Sequence, residues 1–239
     1  MATSEDKIKQ EEMKTFYSNS SYYEDNKHNF ADVSSKSKHY LINNVLSMYY
    51  PEKEEKIIVL GAGWGNISLA LQKRGFNVIS LDYSQQSIDI CKRTAVKLDM
   101  DSSGFICRDA TDTQFDDAFF DVAYCADLVE HLYPSVYNDL VKETRRILKK
   151  GGKFAIYTPN PSHFFEILKK HNIVLRKDIS HVDYKTMPRL KESLSNQGFM
   201  IKKAFYIESH IPFLDVLERN LMKFVPFFRR RNAVLAIKS

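Results

Sequence analysis

The chain has 239 residues, of which 44% are hydrophobic, and a formal net charge of +5, which suits one α/β domain with appended segments. No stretch reaches the length of a membrane span, and the polar start lacks the apolar region of a signal peptide, so a cytoplasmic protein is expected. Cys91, Cys107 and Cys125 are widely spaced, which excludes a C-x-x-C pair and indicates small buried side chains in a reducing compartment.

The first segment, residues 1–50, is polar and is predicted to contain two helices. Apolar side chains recur at helical spacing from Glu5 to Tyr17 and from Ser37 to Tyr49. Tyr17 ends the first helix, and Tyr22 lies between the two. Such a segment either folds over the main domain or remains a loosely packed tail, and composition does not decide between these alternatives.

A strand, a glycine turn, a helix and a second strand follow from Lys56 to Asp82, a right-handed βαβ unit. Gly61, Gly63 and Gly65 let the chain turn sharply and bring its backbone close to a ligand. Asp82 ends the second strand, where an acidic side chain accepts hydrogen bonds from ribose hydroxyls. The unit predicts a cofactor that contains a nucleoside, although a glycine turn alone also occurs as a plain structural element.

The glycine spacing discriminates between cofactors. A dinucleotide fingerprint has the form G-x-G-x-x-G or A, but its last position is Asn66 here, and the third glycine falls one residue earlier. The resulting G-x-G-x-G, with its preceding strand and Asp82, resembles the first motif of class I S-adenosylmethionine-dependent methyltransferases. The resemblance implies S-adenosylmethionine as the cofactor and disfavours a nicotinamide-dependent oxidoreductase.

The core continues with further alternating elements. They are predicted as helices at residues 84–98 and 135–150 and as strands at residues 104–107, 120–125 and 154–157. The glycine pair Gly151-Gly152 is predicted to end the second of these helices. Asp109 follows the third strand, at the edge where α/β folds bind their ligands.

A second stretch narrows the resemblance. The run FDVAYCADLVEHL, residues 120–132, with the helix, glycine pair and T-P-N strand end that follow, resembles the ubiquinone-biosynthesis O-methyltransferase type of class I enzymes, a group that includes small-molecule tailoring enzymes. Glu130-His131 reproduces a turn typical of the group, and His181 lies in a similar histidine segment. The resemblance covers about residues 57–199. It implies a Rossmann-like, seven-stranded, mostly parallel sheet with helices on both faces and a C-terminal antiparallel hairpin.

The resemblance also implies roles for particular positions. Asp109 matches the acid that binds the adenine amino group, and the N-terminal segment matches a lid. The residues expected to bind the cofactor are Gly61, Ala62, Gly63, Gly65, Asp82, Tyr83, Asp109, Ala110, Asp127 and Leu128. The residues expected to contact the acceptor are Tyr17, Tyr22, His163 and His181. The expected organisation is a lid at residues 1–50, a cofactor-binding core at residues 51–160, and an acceptor-side cap with the closing hairpin at residues 161–239.

Methyl transfer from a sulfonium is an in-line displacement, so the protein must align the acceptor, exclude water and remove a proton where needed. The expected acceptor is a hydroxyl or amine of a small molecule. His131 is the candidate general base, because histidine titrates near neutral pH; its alternative role is to shape the pocket. Asp121, Asp127 and Glu130 do not form a convincing ligand set, so no metal site is expected.

The C-terminal part is the most basic, with a local charge balance of +8 from residue 162 to the end. Strands are predicted at residues 200–209 and 233–238, and a basic, aromatic segment at residues 211–231 separates them. Three interpretations of this segment remain open: a cap on the acceptor pocket, peripheral contact with a membrane, or a dimer interface. The sequence leaves the oligomeric state open.

Two other functions remain as alternatives. One is methylation of RNA or protein, which the basic C-terminal part favours. The N-P-P-[FY] motif typical of base-amine methylation is absent: Asn160-Pro161 follows the fifth strand instead of the fourth and lacks the second proline, so a nucleic-acid partner is disfavoured. The other is a non-catalytic protein that keeps the cofactor site.

Overall fold

The computed structural model describes residues 4–19, 35–173, 176 and 178–239. Within these ranges, seven strands form one sheet in the order β3-β2-β1-β4-β5-β7-β6. The strands are β1 Ile57–Leu60, β2 Val78–Asp82, β3 Phe105–Cys107, β4 Phe120–Ala126, β5 Leu148–Pro159, β6 Phe199–Ile207 and β7 Arg231–Lys238. Neighbours among β1 to β5 pair in parallel, and β7 is antiparallel to both β5 and β6. The predicted sheet with its C-terminal antiparallel hairpin is confirmed.

Helices flank the sheet. The α-helices of the described ranges are α1 Ser4–Asn19, α2 Lys36–Met48, α3 Asn66–Gln72, α4 Gln85–Lys97, α5 Pro134–Ile147, α6 Phe164–Lys170, α7 Met187–Asn196 and α8 Leu214–Leu221. Short 3-10 turns occur at Val129–His131 and Pro226–Phe228. None of the helices in these ranges combines the length and the apolar character that crossing a bilayer requires.

The hydrophobic core lies on both faces of the sheet. All four residues of β1 are buried, as expected for a central parallel strand covered on both sides. Helices α5 and α7 pack their apolar stripes against one face, and α2 and α3 pack against the other. Helix α4 begins where the sequence predicted, because the hydroxyl of Ser84 accepts a hydrogen bond from the backbone N–H of Ser87.

One predicted boundary is wrong. The helix expected to run to Lys150 ends at Ile147, and β5 begins at Leu148 instead of Phe154. The carbonyl of Ile147 accepts a hydrogen bond from the N–H of Phe119, and buried Leu148 pairs with Phe120 of β4. Sheet pairing therefore takes over from helix propensity before the glycine pair is reached.

The sheet order reverses beside β1, between its neighbours β2 and β4. In an open α/β sheet, the crevice at such a switch point, outside the carboxyl ends of the strands, is where ligands bind. The glycine loop follows β1 and Asp127 follows β4, and the two strands pair with Leu60 beside Cys125. The fold thus brings both sequence motifs to one edge of the sheet.

Candidate functional site

The glycine loop has the backbone that its sequence predicts. Gly61 has φ of 76°, and a Cβ atom added there would lie 3.2 Å from the side chain of Leu128. Gly63 has φ of 52°, and an added Cβ would meet no atom within 4 Å. The left-handed backbone explains the need for glycine at both positions, and the space beside Gly63 gives a ligand access to the main chain.

Asp82 holds this loop in place. Its Oδ2 accepts a hydrogen bond of 2.8 Å from the N–H of Gly63, and its Oδ1 accepts one of 3.0 Å from the N–H of Ser84. Burial raises the pKa of this carboxyl, while the two backbone hydrogen bonds act in the opposite direction. The acid that ends β2 therefore orients the glycine turn as well as facing the cavity.

Asp109 lies beside a small second cavity of about 50 Å³, which Asp82, Tyr83 and Ala110 also line. Its Oδ2 lies 2.6 Å from Nζ of Lys14 on α1, and its Oδ1 accepts a hydrogen bond from the N–H of Thr111. Burial favours the neutral carboxyl, but the hydrogen bonds from Lys14 and Thr111 outweigh it and lower the pKa. The N-terminal helix thus reaches the predicted adenine-binding acid.

A larger cavity of about 860 Å³ opens over the switch point. Of the ten residues predicted to bind the cofactor, the structure brings nine to the walls of one or both cavities: Gly61, Ala62, Gly63, Asp82, Tyr83, Asp109, Ala110, Asp127 and Leu128. Gly65 instead precedes α3 with φ of 77° and shapes the turn. Trp64, inside the predicted motif, also lines the larger cavity.

Helix α1 is fixed over this site by specific polar contacts. The side chain of Gln10 donates to the carbonyl of His131 and accepts from the N–H of Tyr133, each at 3.1 Å. Asp6 accepts a hydrogen bond of 3.0 Å from the N–H of Ser135, at the start of α5. These contacts satisfy N–H groups that the beginning of α5 leaves without helical partners.

His131 lines the larger cavity with its imidazole close to that of His181, at a ring-centroid distance of 4.8 Å. Its Nδ1 lies 3.1 Å from the carbonyl oxygen of Ser180. Because a carbonyl only accepts, Nδ1 carries the proton and Nε2 is the basic nitrogen. Burial, assisted by His181, lowers the pKa of His131 to about 4, so the ring is neutral at pH 7.

Glu130 is buried beside His131 and His181. Its Oε2 accepts a hydrogen bond of 2.9 Å from Thr158, and its Oε1 has no hydrogen-bond partner among the described residues. Burial, together with the charge of Asp127, raises its pKa to about 8, so it is largely protonated at pH 7.

The structure brings together three side chains of metal-binding type that the sequence did not group. Glu130, His131 and His181 each bring one atom of metal-binding type within 4.8 Å of the others. A metal would first have to displace the proton that Glu130 retains at neutral pH.

The other residues predicted to contact the acceptor lie in different surroundings. His181 lines the larger cavity. His163 is fully buried and is not among the residues that line it; its Nδ1 accepts from the N–H of Phe165, and its Nε2 lies 2.9 Å from Glu218. Tyr22 and the side chain of Tyr17 lie outside the described residues.

Two cationic residues were missed by sequence analysis. The fully buried ammonium of Lys185 donates to the carbonyls of Val129 and Leu132, at 2.9 and 3.0 Å. These hydrogen bonds stabilise the turn that carries His131. Arg231, the last residue of the predicted basic segment, hydrogen bonds to Asp127, and both residues line the cavity. The position of Arg231 could have been predicted from the antiparallel hairpin, because the start of β7 must lie beside the carboxyl end of β5, where the ligand site is.

Comparison with known proteins agrees with this geometry. Residues 58–156 match the family model described as a methyltransferase domain. The chain is 30% identical over 125 residues to the ubiquinone biosynthesis O-methyltransferase of Coxiella burnetii. The aligned part is 51% of this chain and 52% of that protein. It is 35% identical over 107 residues to the demethylmenaquinone methyltransferase of Clavibacter sepedonicus. The aligned part is 44% of this chain and 42% of that protein. The chain thus spans about half the length of these curated relatives.

The fold has counterparts among solved structures. A SAM-dependent methyltransferase from Archaeoglobus fulgidus superposes with a TM-score of 0.67 at 19% identity, over 84% of this chain and 95% of that one. Residues 58–156 therefore match a methyltransferase domain in sequence, and the fold of the described chain is that of this S-adenosylmethionine-dependent methyltransferase structure. The predictions of an enzyme fold of this class and of S-adenosylmethionine as its cofactor are confirmed.

Proposed function

We propose that the chain transfers a methyl group from S-adenosylmethionine to a hydroxyl or amine of a small-molecule acceptor, with His131 as the general base. One observation carries this proposal. A single cavity of about 860 Å³ is bounded by the glycine loop at Gly61 and Gly63 and by the imidazoles of His131 and His181. This volume is typical of a small-molecule site, and it connects the cofactor loop to a group that can take up a proton.

The residues around the loop fit the cofactor. The open space beside Gly63 lets a ligand lie against the main chain. Each carboxylate oxygen of Asp82 accepts one backbone N–H, and a carboxylate has about four acceptor positions, so Asp82 can also receive ribose hydroxyls. Asp109 offers an acceptor for the adenine amino group. When bound, S-adenosylmethionine supplies a methyl group on a positively charged sulfur, which is a good leaving group.

His131 supplies the proton acceptor. Its proton on Nδ1 is held by the carbonyl of Ser180, so Nε2 is the nitrogen that receives the acceptor's proton. A pKa of about 4 makes the imidazole a weak base. Such a base suits an acceptor proton that becomes strongly acidic only as the new bond to carbon forms, because general bases act on the transition state.

Helix α1 contributes by limiting access to the site. Gln10 and Lys14 place it across the turn that carries His131 and beside Asp109. Keeping water from a sulfonium and a nucleophile favours transfer to the bound acceptor over hydrolysis. The names of the two curated relatives, both methyltransferases of quinone pathways, support a small-molecule acceptor over RNA or protein.

The test uses S-adenosylmethionine with a labelled methyl group and a panel of phenols, catechols and amines. We expect label in a small-molecule product. We also expect His131→Gln to lower kcat by about 10²- to 10⁴-fold with little change in the dissociation constant for S-adenosylmethionine, since a general base contributes that much to the rate. His171→Gln is the matched control for histidine loss, because His171 is exposed and does not line the cavity.

Three outcomes would contradict the proposal. Label transferred only to RNA or protein would move the function to the alternative acceptor class. Cofactor binding without transfer to any acceptor would favour a non-catalytic protein. Full kcat in His131→Gln would remove His131 from the role of base while leaving methyl transfer itself intact.

A further inference from the structure

Residues 211–228, which lie between β6 and β7, form a segment with an unusual distribution of polar and apolar side chains. Helices on protein surfaces normally bury their apolar stripe and expose their polar face. Helix α8 departs from this pattern, because the carboxylate of Glu218 is fully buried while Val216 and Leu217 are exposed and Leu214 and Leu221 are only half-buried. The outer residues of this segment therefore form an apolar surface that the described chain leaves uncovered.

A buried hydrogen bond between a neutral histidine and a carboxylate fixes this orientation. Nδ1 of His163 accepts a hydrogen bond from the N–H of Phe165, so Nε2 carries the ring proton and donates to Oε1 of Glu218 at 2.9 Å. Oε2 of Glu218 accepts from the N–H of Ser209. With Glu218 directed inward, the 100° turn per residue directs Val216, Leu217 and Asn220 outward. The helix cannot roll to bury its apolar side without breaking both contacts.

The aromatic residues of the segment are exposed to an unusual degree. Phe213 is 90% exposed and has φ of 68°, a conformation that bulky residues rarely adopt, and Phe224 is 81% exposed. Ile211, Val225 and Phe227 are exposed as well. The exposed apolar surface, named the apolar face here, comprises Ile211, Phe213, Val216, Leu217, Phe224, Val225 and Phe227. Several large apolar side chains exposed within one short segment are typical of an interaction site.

Exposed cationic side chains lie among the residues of the apolar face. Arg219 and Lys223 lie within the segment and are exposed, and the guanidinium of Arg219 pairs with Glu208 at 2.8 Å and with Asp215 at 3.8 Å. The ring of Phe227 stacks on Phe164 of α6 at a centroid distance of 5.3 Å, which anchors the end of the segment to α6. Glu218, one of the two acids of the segment, is withdrawn into the core. Aromatic and aliphatic side chains interspersed with exposed cations match the interfacial region of an anionic bilayer.

We propose that the apolar face docks the protein onto the surface of a bilayer that contains anionic lipids. A second copy of the chain fits less well, because a symmetric contact between two such faces would bring the exposed Lys223 of both copies into one apolar interface. The face adjoins the cavity, since Ser209, His210 and Arg230, which flank the segment, line the cavity. This inference goes beyond the proposed function and needs no acceptor for its test.

The experiment measures flotation of the full chain with vesicles of phosphatidylcholine, with and without phosphatidylglycerol. We expect binding only with phosphatidylglycerol, and weaker binding as salt is raised. The double variant Phe213→Ser/Phe224→Ser should reduce vesicle binding by about tenfold or more, since it removes two apolar side chains from the interface. Lys223→Gln should reduce it by roughly fivefold.

The double variant Val96→Ser/Met200→Ser is the matched control, because both residues are exposed apolar side chains outside the segment. It should bind vesicles like the wild type. Calorimetry with S-adenosylmethionine, expected to be unchanged in all these variants, shows that they are folded and keeps failure here distinct from failure of the proposed function.

Three results would overturn the inference. One is the absence of vesicle binding by the wild type, and another is binding that does not depend on phosphatidylglycerol or on Phe213 and Phe224. The third is sedimentation that shows a dimer in the wild type and a monomer in Phe213→Ser/Phe224→Ser, which would assign the apolar face to a second copy.

Discussion

The two sides of the cavity are built in different ways. On the cofactor side, which comprises Gly61, Gly63, Asp82 and Asp109, each position lies at the end of a strand or in the loop just after it, and Asp82 accepts from backbone N–H groups of nearby loops. On the acceptor side, which comprises Glu130, His131 and His181, the parts come from separate segments. Side chains that are distant in sequence, above all Lys185 and Gln10, hold them.

This difference has consequences for mutation. Local backbone geometry supports the cofactor side, so substitutions there should weaken binding and leave most of the fold intact. Buried, charged tertiary contacts support the acceptor side, and such contacts are costly to break because the remaining partner stays buried without compensation. The acceptor side should therefore respond more strongly to substitutions far from the cavity.

Removal of Lys185 is expected to have the largest effect. Lys185→Met leaves the carbonyls of Val129 and Leu132 without their donor, and the free energy of unfolding should fall by about 3 kcal/mol. Urea unfolding measures the change. Lys191→Met, at an exposed position on α7, is the control and should stay within about 0.5 kcal/mol of the wild type. A loss below about 1 kcal/mol in Lys185→Met would show that the turn at Val129–His131 is stable without the lysine.

Asp82→Asn tests the cofactor side. The amide has one acceptor oxygen in place of two, so one hydrogen bond to the glycine loop and part of the ribose site are lost. Loss of hydrogen bonds to a charged group costs about 1.5–3 kcal/mol, so the dissociation constant for S-adenosylmethionine should rise about 10- to 100-fold in calorimetry. Asp99→Asn, on an exposed turn after α4, should bind like the wild type. Equal affinity in both variants would contradict a role for Asp82.

Glu130 and His131 should give opposite pH dependences of stability. The folded pKa of His131, about 4, lies below its ordinary value of 6.5, so its contribution to stability is lost as pH falls through that window. The folded pKa of Glu130, about 8, lies above its ordinary value of 4.5, so its contribution is lost as pH rises through that window. Each contribution should change by about 2 kcal/mol between pH 5 and pH 7.

Urea unfolding at pH 5, 6 and 7 measures these contributions. Relative to the wild type, His131→Gln should lose less stability on acidification, and Glu130→Gln should lose less when the pH is raised. Parallel pH profiles for the wild type and both variants would show that neither group is shifted by burial.

Lys14→Met is expected to have the smallest effect. The ion pair with Asp109 is partly exposed, so its loss should cost no more than about 1 kcal/mol of stability. Without the lysine, Asp109 can accept from adenine without competition, and affinity for S-adenosylmethionine should rise by less than about tenfold. Cleavage of α1 by protease should become faster. Lys9→Met removes only an exposed pair with Glu5 and should leave the affinity for S-adenosylmethionine and the cleavage rate unchanged. Slower cleavage in Lys14→Met would contradict the view that the ion pair between Lys14 and Asp109 holds α1 against the domain.

The sequence predicted the cofactor side well because its signals are local. A strand, a glycine turn and an acid at the next strand end are fixed by backbone conformation, and the fold rule that ligands bind at the carboxyl ends of strands places them together. The same applies to the amphipathic helices, whose apolar spacing determines which face packs on the sheet. Where a boundary prediction was wrong, at Ile147 and Leu148, pairing with β4 outweighed the local preference for helix.

What the sequence alone determined is therefore the order of the elements, the glycine loop, the acids after β2 and β3, and the class of cofactor. Only the tertiary structure decided which histidines face the cavity, that Lys185 lies beneath the turn, and that α8 turns its apolar side outward. Each of these depends on contacts between residues far apart in the chain. Burial then shifts the pKa values of Glu130 and His131 in opposite directions, and no spacing pattern contains that information.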